Sequence, residues 1–362
     1  MTTDRPRDLT IIVPCYNTER YLGEALASLE RLKIDSLEVL LINDGSTDGS
    51  MALMADASRR DGRFRVIDKA NEGYGATVNR GIDEARGRYV GILEPDDFFY
   101  EGAVERLLET ALATGADVVK GDFTFYWSKD GGRDVPAGIV SADMVGRPVD
   151  TRVDTRIFRA KASIWSALYR RAFLNECGIR CQTTPGASFQ DTSFSFKVYA
   201  SASQVRFVDV PVVHYRQDNE ASSVNSKDKT NAVVHEFDVI DAWLGDSAGT
   251  ERREALRLEA QIARFNACLW NLDRLGDETA TAFVEDMAAW YADAERRQAL
   301  DLASWDGWRI TNLRALERDP KRYLGLRRRF RGDTAISKAL FALALGGPAA
   351  LAAALSERAG RS

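Results

Sequence analysis

Residues 92–97 read ILEPDD: the end of an apolar run is followed directly by three carboxylates within four positions. The run starts at Tyr89, and an unbroken apolar run is typical of a buried parallel strand. The acids Glu94, Asp96 and Asp97 then lie at the carboxyl end of the strand, where open α/β sheets bind their ligands. Clustered carboxylates repel one another, and a divalent cation that carries phosphate oxygens relieves this repulsion. A solvated turn is the alternative, since Asp and Pro favour turns for local reasons.

Three other short apolar runs, each followed by a segment with helical spacing, come before this strand. The alternation of strands and helices predicts βαβ units, a mainly parallel sheet and right-handed crossovers. Each strand ends in turn-forming or acidic residues, so the polar side chains collect along one edge of the sheet. We therefore predict an α/β fold with a Rossmann-like, nucleotide-binding layer. The three runs are residues 9–13, 39–42 and 64–67.

Two glycines, Gly73 and Gly75, stand in the strand-to-helix turn after the third of these runs. Glycine lets the backbone approach a phosphate closely, and the following helix offers free N–H groups and the positive end of its dipole. The pattern is not the dinucleotide-binding fingerprint, because the third glycine is missing. Ordinary turn chemistry is the alternative interpretation.

The composition is ordinary for a globular protein: 362 residues, of which 45% are hydrophobic and 28% charged. A net charge of -5 argues against a general nucleic-acid binder. The four cysteines show no disulfide framework, which predicts a reducing compartment. His214 and His235 are too few for a zinc cage. The amino terminus has no apolar segment of the secretory type, so we expect a cytoplasmic protein.

The composition changes after about residue 225, where glycine and β-branched residues become rarer and apolar residues recur at helical spacing. We predict a nucleotide-binding domain at residues 1–225, an α-helical C-terminal appendage at residues 226–325 and a tail at residues 326–362. Within the first domain, residues 131–148 are rich in Gly, Asp and Pro and predict an irregular loop or lid.

The tail combines a basic cluster with an apolar stretch. Residues 327–331 read RRRFR, and residues 339–355 are uncharged and rich in Ala and Leu. Gly346, Gly347 and Pro348 divide this stretch into two short helices, whereas a spanning helix needs about 20 continuous residues. A basic cluster beside a short apolar helix fits a segment that lies on an anionic membrane surface. The alternative is a helix packed on its own domain or on another subunit of a homo-oligomer.

Several ordered motifs resemble the signatures of family 2 glycosyltransferases with the GT-A fold. The resemblance covers residues 9 to about 225, and several motifs at consistent spacing are more specific than any one of them. The motifs are TIIVPCYN at residues 10–17, INDGSTD at 42–48, the glycine-rich segment at 71–79, EPDD at 94–97 and FQD at 189–191.

The resemblance implies a nucleotide-sugar donor, usually a UDP-sugar, and it implies roles for individual residues. Asp44 is expected to hold the nucleobase, with backbone groups of Pro14 and Tyr16 alongside. Asp191 is expected to be the general base. The other residues expected at the nucleotide are Asn17, Asn71, Gly73, Gly75, Asn79 and Asp96.

The resemblance also implies Mg²⁺ or Mn²⁺, bound by Asp96 with help from Asp97 or Glu94. Such a cation neutralises the charge that develops on the UDP leaving group. A carboxylate on the opposite face deprotonates the incoming hydroxyl, and in-line displacement then inverts the sugar. Two positions depart from the family pattern. Glu94 stands where Asp is commoner, and Gln190 replaces the frequent Glu before the base.

The implied activity is an inverting, metal-dependent hexosyl transfer to a hydroxyl of a saccharide or lipid-linked saccharide. Family analogy suggests surface polysaccharide or glycolipid assembly, in the cytoplasm or at the inner membrane face. One alternative is a sugar-phosphate nucleotidyltransferase, whose early arginine-containing glycine loop and activating lysine are missing from this sequence. The other is an inactive UDP-sugar-binding or scaffold protein, which would be expected to lose Asp96 or Asp191; both are present.

Overall fold

The computed structural model describes residues 7–186, 189–220, 231–245, 251–332 and 334–359. The chain forms two compact units, Met1–Val224 and Asn225–Ser362. The first contains the sheet and all the motifs above, and the described part of the second is helical.

Ten strands of the first unit form one sheet. They are β1 (Arg7–Cys15), β2 (Leu37–Asp44), β3 (Phe64–Lys69), β4 (Gly87–Ile92), β5 (Phe98–Phe99), β6 (Val118–Trp127), β7 (Arg133–Pro136), β8 (Pro148–Val149), β9 (Ala167–Arg170) and β10 (Val205–Arg216). The order along the sheet is β3-β2-β1-β4-β9-β6-β10-β5, with β7 paired to β6 and β8 to β10.

The described α-helices divide between the two units. The first unit has α1 (Glu19–Glu30), α2 (Ser50–Arg60), α3 (Tyr74–Glu84), α4 (Ala103–Thr114), α5 (Arg171–Glu176) and α6 (Gln190–Ser201). The second has α7 (Ala232–Gly245), α8 (Glu251–Arg274), α9 (Asp277–Arg296), α10 (Gly307–Arg318), α11 (Pro320–Arg329) and α12 (Ala335–Ala359). The boundary that the sequence predicted at residue 325 falls inside α11.

The predicted α/β class is confirmed, and the sheet also contains antiparallel strands. Parallel pairing joins β3, β2, β1 and β4, and again joins β6 to β10. Strand β9 is antiparallel to both β4 and β6. An antiparallel neighbour needs no helical crossover, and the described chain between β6 and β9 contains only short strands, loops and 3₁₀ turns.

The segment predicted as an irregular loop, residues 131–148, contains the short strand β7 and a 3₁₀ turn at Ala142–Met144. Strand β9 covers only the start of β6, up to Lys120, whereas β7 pairs with residues 124–127. Together β9 and β7 cover part of one edge of the long strand β6, which limits the pairing of that edge with other chains.

The central strands are apolar throughout because protein covers both faces of the sheet. All eight residues of β2 are buried, as are residues 9–15 of β1. Burial of each Leu or Ile side chain stabilises the fold by about 1.5–3 kcal/mol. The carboxyl ends of β1, β2 and β4 therefore meet at one well-supported edge, and the functional motifs lie in the loops that leave it.

The second unit has its own aromatic core. Phe265 of α8 lies edge-to-face against Tyr291 of α9, with ring centroids 5.4 Å apart, and 5.2 Å from Trp305. Burial of these large rings holds the helices together.

Candidate active site

The acidic turn, residues 94–97, follows β4 at the carboxyl edge of the parallel strands. A hydrogen bond of 3.1 Å from the Asp97 N–H to the Glu94 carbonyl closes it. Glu94 Oε1 accepts the hydroxyl proton of Tyr74, the first residue of α3, at 2.5 Å. The glycine-rich segment and the acidic turn are thus in direct contact, as the common edge predicted.

Arg216 and Asn219, at the end of β10 and just beyond it, hold the acidic turn in place. The carboxylate of Asp97 is fully buried, and its Oδ1 accepts the backbone N–H of Arg216 at 2.8 Å. The Arg216 side chain donates to the carbonyl of Asp96 at 2.8 Å and to Glu24 at 2.6 Å. Asn219 donates to Asp96 Oδ2 at 2.8 Å. The sequence motifs gave neither residue a role.

The buried environment of the acidic turn disfavours ionisation of its carboxylates. Burial raises the pKa of Glu94 to about 8, against the lowering effect of its hydrogen bond from Tyr74. The charges of Asp96 and Asp191 raise that pKa further. Burial also raises the pKa of Asp96, and it raises the pKa of Asp97 well above the usual range. A cation placed here would favour the ionised forms.

The donor set of the acidic turn fits Mg²⁺ or Mn²⁺, which prefer carboxylate oxygens. Glu94 and Asp96 keep partial exposure, whereas Asp97 is fully buried and anchors the turn. Within the described ranges, no group of three or more His, Cys, Asp or Glu side chains is placed to hold a metal ion. Glu94 and Asp96 are the residues of the turn that could hold such a cation.

Asp44, at the end of β2, closes the turn that follows β3. Its Oδ1 accepts the N–H of Glu72 at 2.9 Å, and its Oδ2 accepts the N–H of Gly73 at 3.0 Å. The same carboxylate pairs with Lys69. Asp44 thus organises the Asn71–Gly73 turn, and its contact with a nucleobase stays a prediction.

Pro14, Tyr16 and Asn17 lie beside the loop that joins β2 to α2. Pro14 is opposite Ile42 in the register of β1 and β2. Asn17 adopts a left-handed φ of 51°, and its Oδ1 accepts the N–H of Thr47 at 2.8 Å. Tyr16 is 50% exposed. An exposed ring at the carboxyl edge of the sheet can stack on a flat nucleobase.

The glycine-rich segment packs against residues 181–186, which precede the expected general base, Asp191, in the chain. A Cβ at Gly75 would lie 1.9 Å from a backbone carbonyl oxygen of that segment, and one at Gly73 (φ 90°) would lie 2.9 Å from a backbone nitrogen. Asn79 exchanges hydrogen bonds of 2.8 and 2.9 Å with the backbone of Cys181. This packing accounts for all three residues, and their contact with a nucleotide stays a prediction.

The hydrogen bonds of Gln190 account for a glutamine at this position, where the family pattern frequently has a glutamate. Its buried amide donates to Thr184 Oγ1 at 2.9 Å and to the carbonyl of Gly186 at 3.0 Å. A glutamate carboxylate has no proton for the carbonyl acceptor. A glutamine at this position therefore fixes the segment before α6.

Asp191 lies in the first turn of α6, but the N-cap position belongs to Phe189, which has a left-handed φ of 58°. Burial raises the pKa of Asp191 to about 6, although the charge of Lys161 lowers it. The charge of Asp191 in turn raises the pKa of Glu94. A carboxylate with this pKa can accept a proton near neutral pH.

Comparison with known proteins agrees with this geometry. Residues 10–176 match the family model described as glycosyl transferase family 2. The chain carries a domain of this family. The family and the GT-A fold expected from the motifs are thereby confirmed.

The relatives of this glycosyltransferase domain include EpsJ of Bacillus subtilis (strain 168), named an uncharacterized glycosyltransferase. It is 30% identical over 212 residues, which cover 58% of this chain and 61% of EpsJ. The chain thus spans about three fifths of that relative's length.

Solved structures share the fold at low identity. S. aureus TarS 1-349 in complex with UDP-GlcNAc has a TM-score of 0.54 at 19% identity, covering 87% of this chain and 92% of TarS 1-349. The mannosyltransferase PcManGT from Pyrobaculum calidifontis, in complex with GDP-Man and Mn²⁺, has a TM-score of 0.50 at 16% identity, covering 91% and 89%.

Trp165, Tyr215 and Phe125 of the glycosyltransferase domain form a group of neighbouring rings, here called the aromatic wall. Trp165 stacks on Tyr215 with centroids 4.8 Å apart, and Lys161 Nζ lies 5.1 Å from the Tyr215 centroid. Burial raises the pKa of Tyr215, and the charges of the acidic turn and of Asp191 raise it further. Buried Lys120 supports the wall by donating to hydroxyls of the turn that carries Trp165, at 2.5 and 2.6 Å.

Gly75→Ala is expected to destabilise the glycosyltransferase domain by about 3 kcal/mol, because its Cβ would strike a backbone carbonyl that cannot rotate away. Urea unfolding should show a lower midpoint with an unchanged m-value. Gly23→Ala is the matched control: in α1 nothing lies within 4 Å of the added Cβ. That variant should gain about 0.5–1 kcal/mol. A Gly75→Ala protein as stable as wild type would contradict the packing.

Proposed function

We propose that this domain transfers a sugar from a UDP-sugar to an acceptor hydroxyl with inversion at the anomeric carbon. The observation that carries the proposal is a pair of acidic sites in one domain, where the charge of Asp191 raises the pKa of Glu94. One is the acidic turn after β4, with Glu94 and Asp96, and the other is Asp191 on α6. The first suits a cation at a diphosphate and the second suits a proton acceptor.

Asp191 is the general base in this mechanism. With a pKa of about 6 it is mostly ionised at neutral pH and still basic enough to take a proton. It receives the proton of the acceptor hydroxyl while that oxygen bonds to the anomeric carbon. The bond from the anomeric carbon to the UDP oxygen breaks on the opposite side, and UDP leaves with the electron pair. In-line displacement of this kind inverts the sugar.

The donor end is built by the loops after β1, β2 and β4. Tyr16 offers an exposed ring to the nucleobase. Glu94 and Asp96 would hold Mg²⁺ or Mn²⁺ at the diphosphate. When bound, such a cation neutralises the charge of the departing nucleotide. Structural neighbours were solved with nucleotide-sugars: TarS with UDP-GlcNAc, and PcManGT with GDP-Man and Mn²⁺.

The acceptor side is formed by the aromatic wall. Aromatic rings give the apolar face of a sugar a surface on which to stack, which supports a saccharide or lipid-linked saccharide acceptor. We place the reaction in surface polysaccharide or glycolipid assembly on the cytoplasmic side. None of the four cysteines is disulfide-bonded in the described part of the chain, as suits a reducing compartment.

Measurement of UDP release from a panel of UDP-sugars, with Mn²⁺ or with excess EDTA, tests the proposal. We expect Mn²⁺-dependent release from one or two of the UDP-sugars, and little from GDP-mannose as the control donor. Release of pyrophosphate from a sugar phosphate and UTP would instead support a nucleotidyltransferase. Tight UDP-sugar binding without turnover in the presence of a broad acceptor mixture would support an inactive binding protein.

A further inference from the structure

The helix α12 presents two different faces. Phe341 and Ala342 are buried, and Phe341 contacts the rings of Trp308 and Tyr323 on α10 and α11 at centroid distances of 5.9 and 6.3 Å. The opposite face carries an apolar stripe of large exposed side chains at the i, i+4, i+7 spacing of one helix face. The apolar stripe consists of Ile336, Leu340 and Leu343, which are 73%, 46% and 41% exposed.

Arginines at the end of α11 adjoin this helix in sequence, and the structure divides them into two groups. Arg327 and Arg328 are tied to the fold by ion pairs with Asp273 and Asp277. Arg329 and Arg331 are exposed. The exposed pair therefore places positive charge within a few residues of the apolar stripe.

The helix is broken in a way that disfavours a membrane span. Residues 335–356 are apolar enough to cross a bilayer by length and composition, and most of them are not buried. The backbone is non-helical at Gly346 and Gly347, where φ reaches 68°. The continuous helix before this kink is about 16 Å long, roughly half the thickness of a hydrocarbon core. A segment of this length can lie along a bilayer but cannot cross it.

We propose that the apolar stripe, with Arg329 and Arg331, is a docking surface for an anionic lipid bilayer. The aliphatic side chains enter the boundary of headgroups and acyl chains while the guanidinium groups meet lipid phosphates. A second copy of the chain fits this surface less well. Three partly exposed side chains fall far short of the roughly 800 Å² per partner that a stable interface buries. A second copy would also bring more arginines toward the first set. The proposal is independent of the proposed chemistry.

Flotation of the full chain with lipid vesicles tests the proposal. Binding is expected to equimolar phosphatidylglycerol–phosphatidylcholine vesicles and not to pure phosphatidylcholine. It should weaken strongly between about 0.1 M and about 1 M salt, as the Debye length falls from about 10 Å to about 3 Å. Each cation at the surface contributes about fivefold, so Arg329→Glu with Arg331→Glu should reduce binding by at least about 25-fold.

The double variant Leu340→Glu with Leu343→Glu tests the role of the leucines, and it should bind the anionic vesicles at least tenfold more weakly. Its circular dichroism spectrum should be unchanged, since both side chains are exposed. Val153→Glu is the matched control, because Val153 is 84% exposed on the first unit and should leave vesicle binding unchanged. Failure of the wild-type chain to bind anionic vesicles at low salt would overturn the proposal, as would normal binding by both tail variants. A wild-type dimer that the leucine variant dissociates would assign the surface to a second copy instead.

Discussion

Asp191→Asn is expected to lower kcat by about 10²-fold or more, the usual scale for a lost general base. Asparagine has nearly the same shape and can keep the local hydrogen bonds of the first turn of α6, but it cannot take the hydroxyl proton. At neutral pH the variant should therefore unfold at a urea concentration no lower than that of wild type and bind UDP equally well. Glu105→Gln, which neutralises the first-turn acid of α4 outside the site, is the control. Near-normal turnover of Asp191→Asn would place the base elsewhere.

The pH dependence of the wild-type reaction provides a second readout for the same residue. Because burial raises the pKa of Asp191 to about 6, kcat/KM should rise with pH through about 6 and then level off, and Asp191→Asn should lack this limb. The free energy of unfolding depends on pH in the opposite direction to kcat/KM. Between about pH 4 and pH 6 the folded chain holds a proton that the unfolded chain has released, so a rise in pH lowers the free energy of unfolding. The variant should lose less stability than wild type across this window.

Asp96→Ala is expected to abolish measurable turnover and the strengthening of UDP binding by Mn²⁺. Its carboxylate is partly exposed and is oriented by the amide of Asn219 at 2.8 Å, and the substitution removes the oxygens proposed to bind the cation. Calorimetric titration with UDP should give tighter binding in Mn²⁺ than in EDTA for wild type, and no difference for the variant.

Glu109→Gln, which alters a surface ion pair with Arg106 on α4, controls for a general loss of negative charge. It should behave as wild type in both titration and turnover, since exposed pairs contribute little. Full wild-type activity in excess EDTA, or an Asp96→Ala protein that still responds to Mn²⁺, would remove the cation from the mechanism.

The acidic turn and its neighbours were visible in the sequence because each follows its own strand directly, and strand ends at one edge lie together. The roles of Asp97 and Asn79 were not visible. Asp97 is bound by Arg216, and Asn79 by Cys181, at sequence separations of 119 and 102 residues. Contacts of such range leave no periodic pattern in the chain.

By itself, the sequence determined the α/β class, the family, the positions of the first four strands along the chain and the break in the tail at Gly346 and Gly347. These properties depend on local patterns: apolar periodicity, strand-end motifs and the backbone freedom of glycine. Only the tertiary structure decided that the sheet is mixed, that Asp97 is an anchor beside two partly exposed carboxylates, and that Gln190 suits its site better than Glu. It also decided which face of α12 is exposed. These outcomes depend on burial and on hydrogen bonds between distant segments, because the environment of a side chain exists only once the chain has folded.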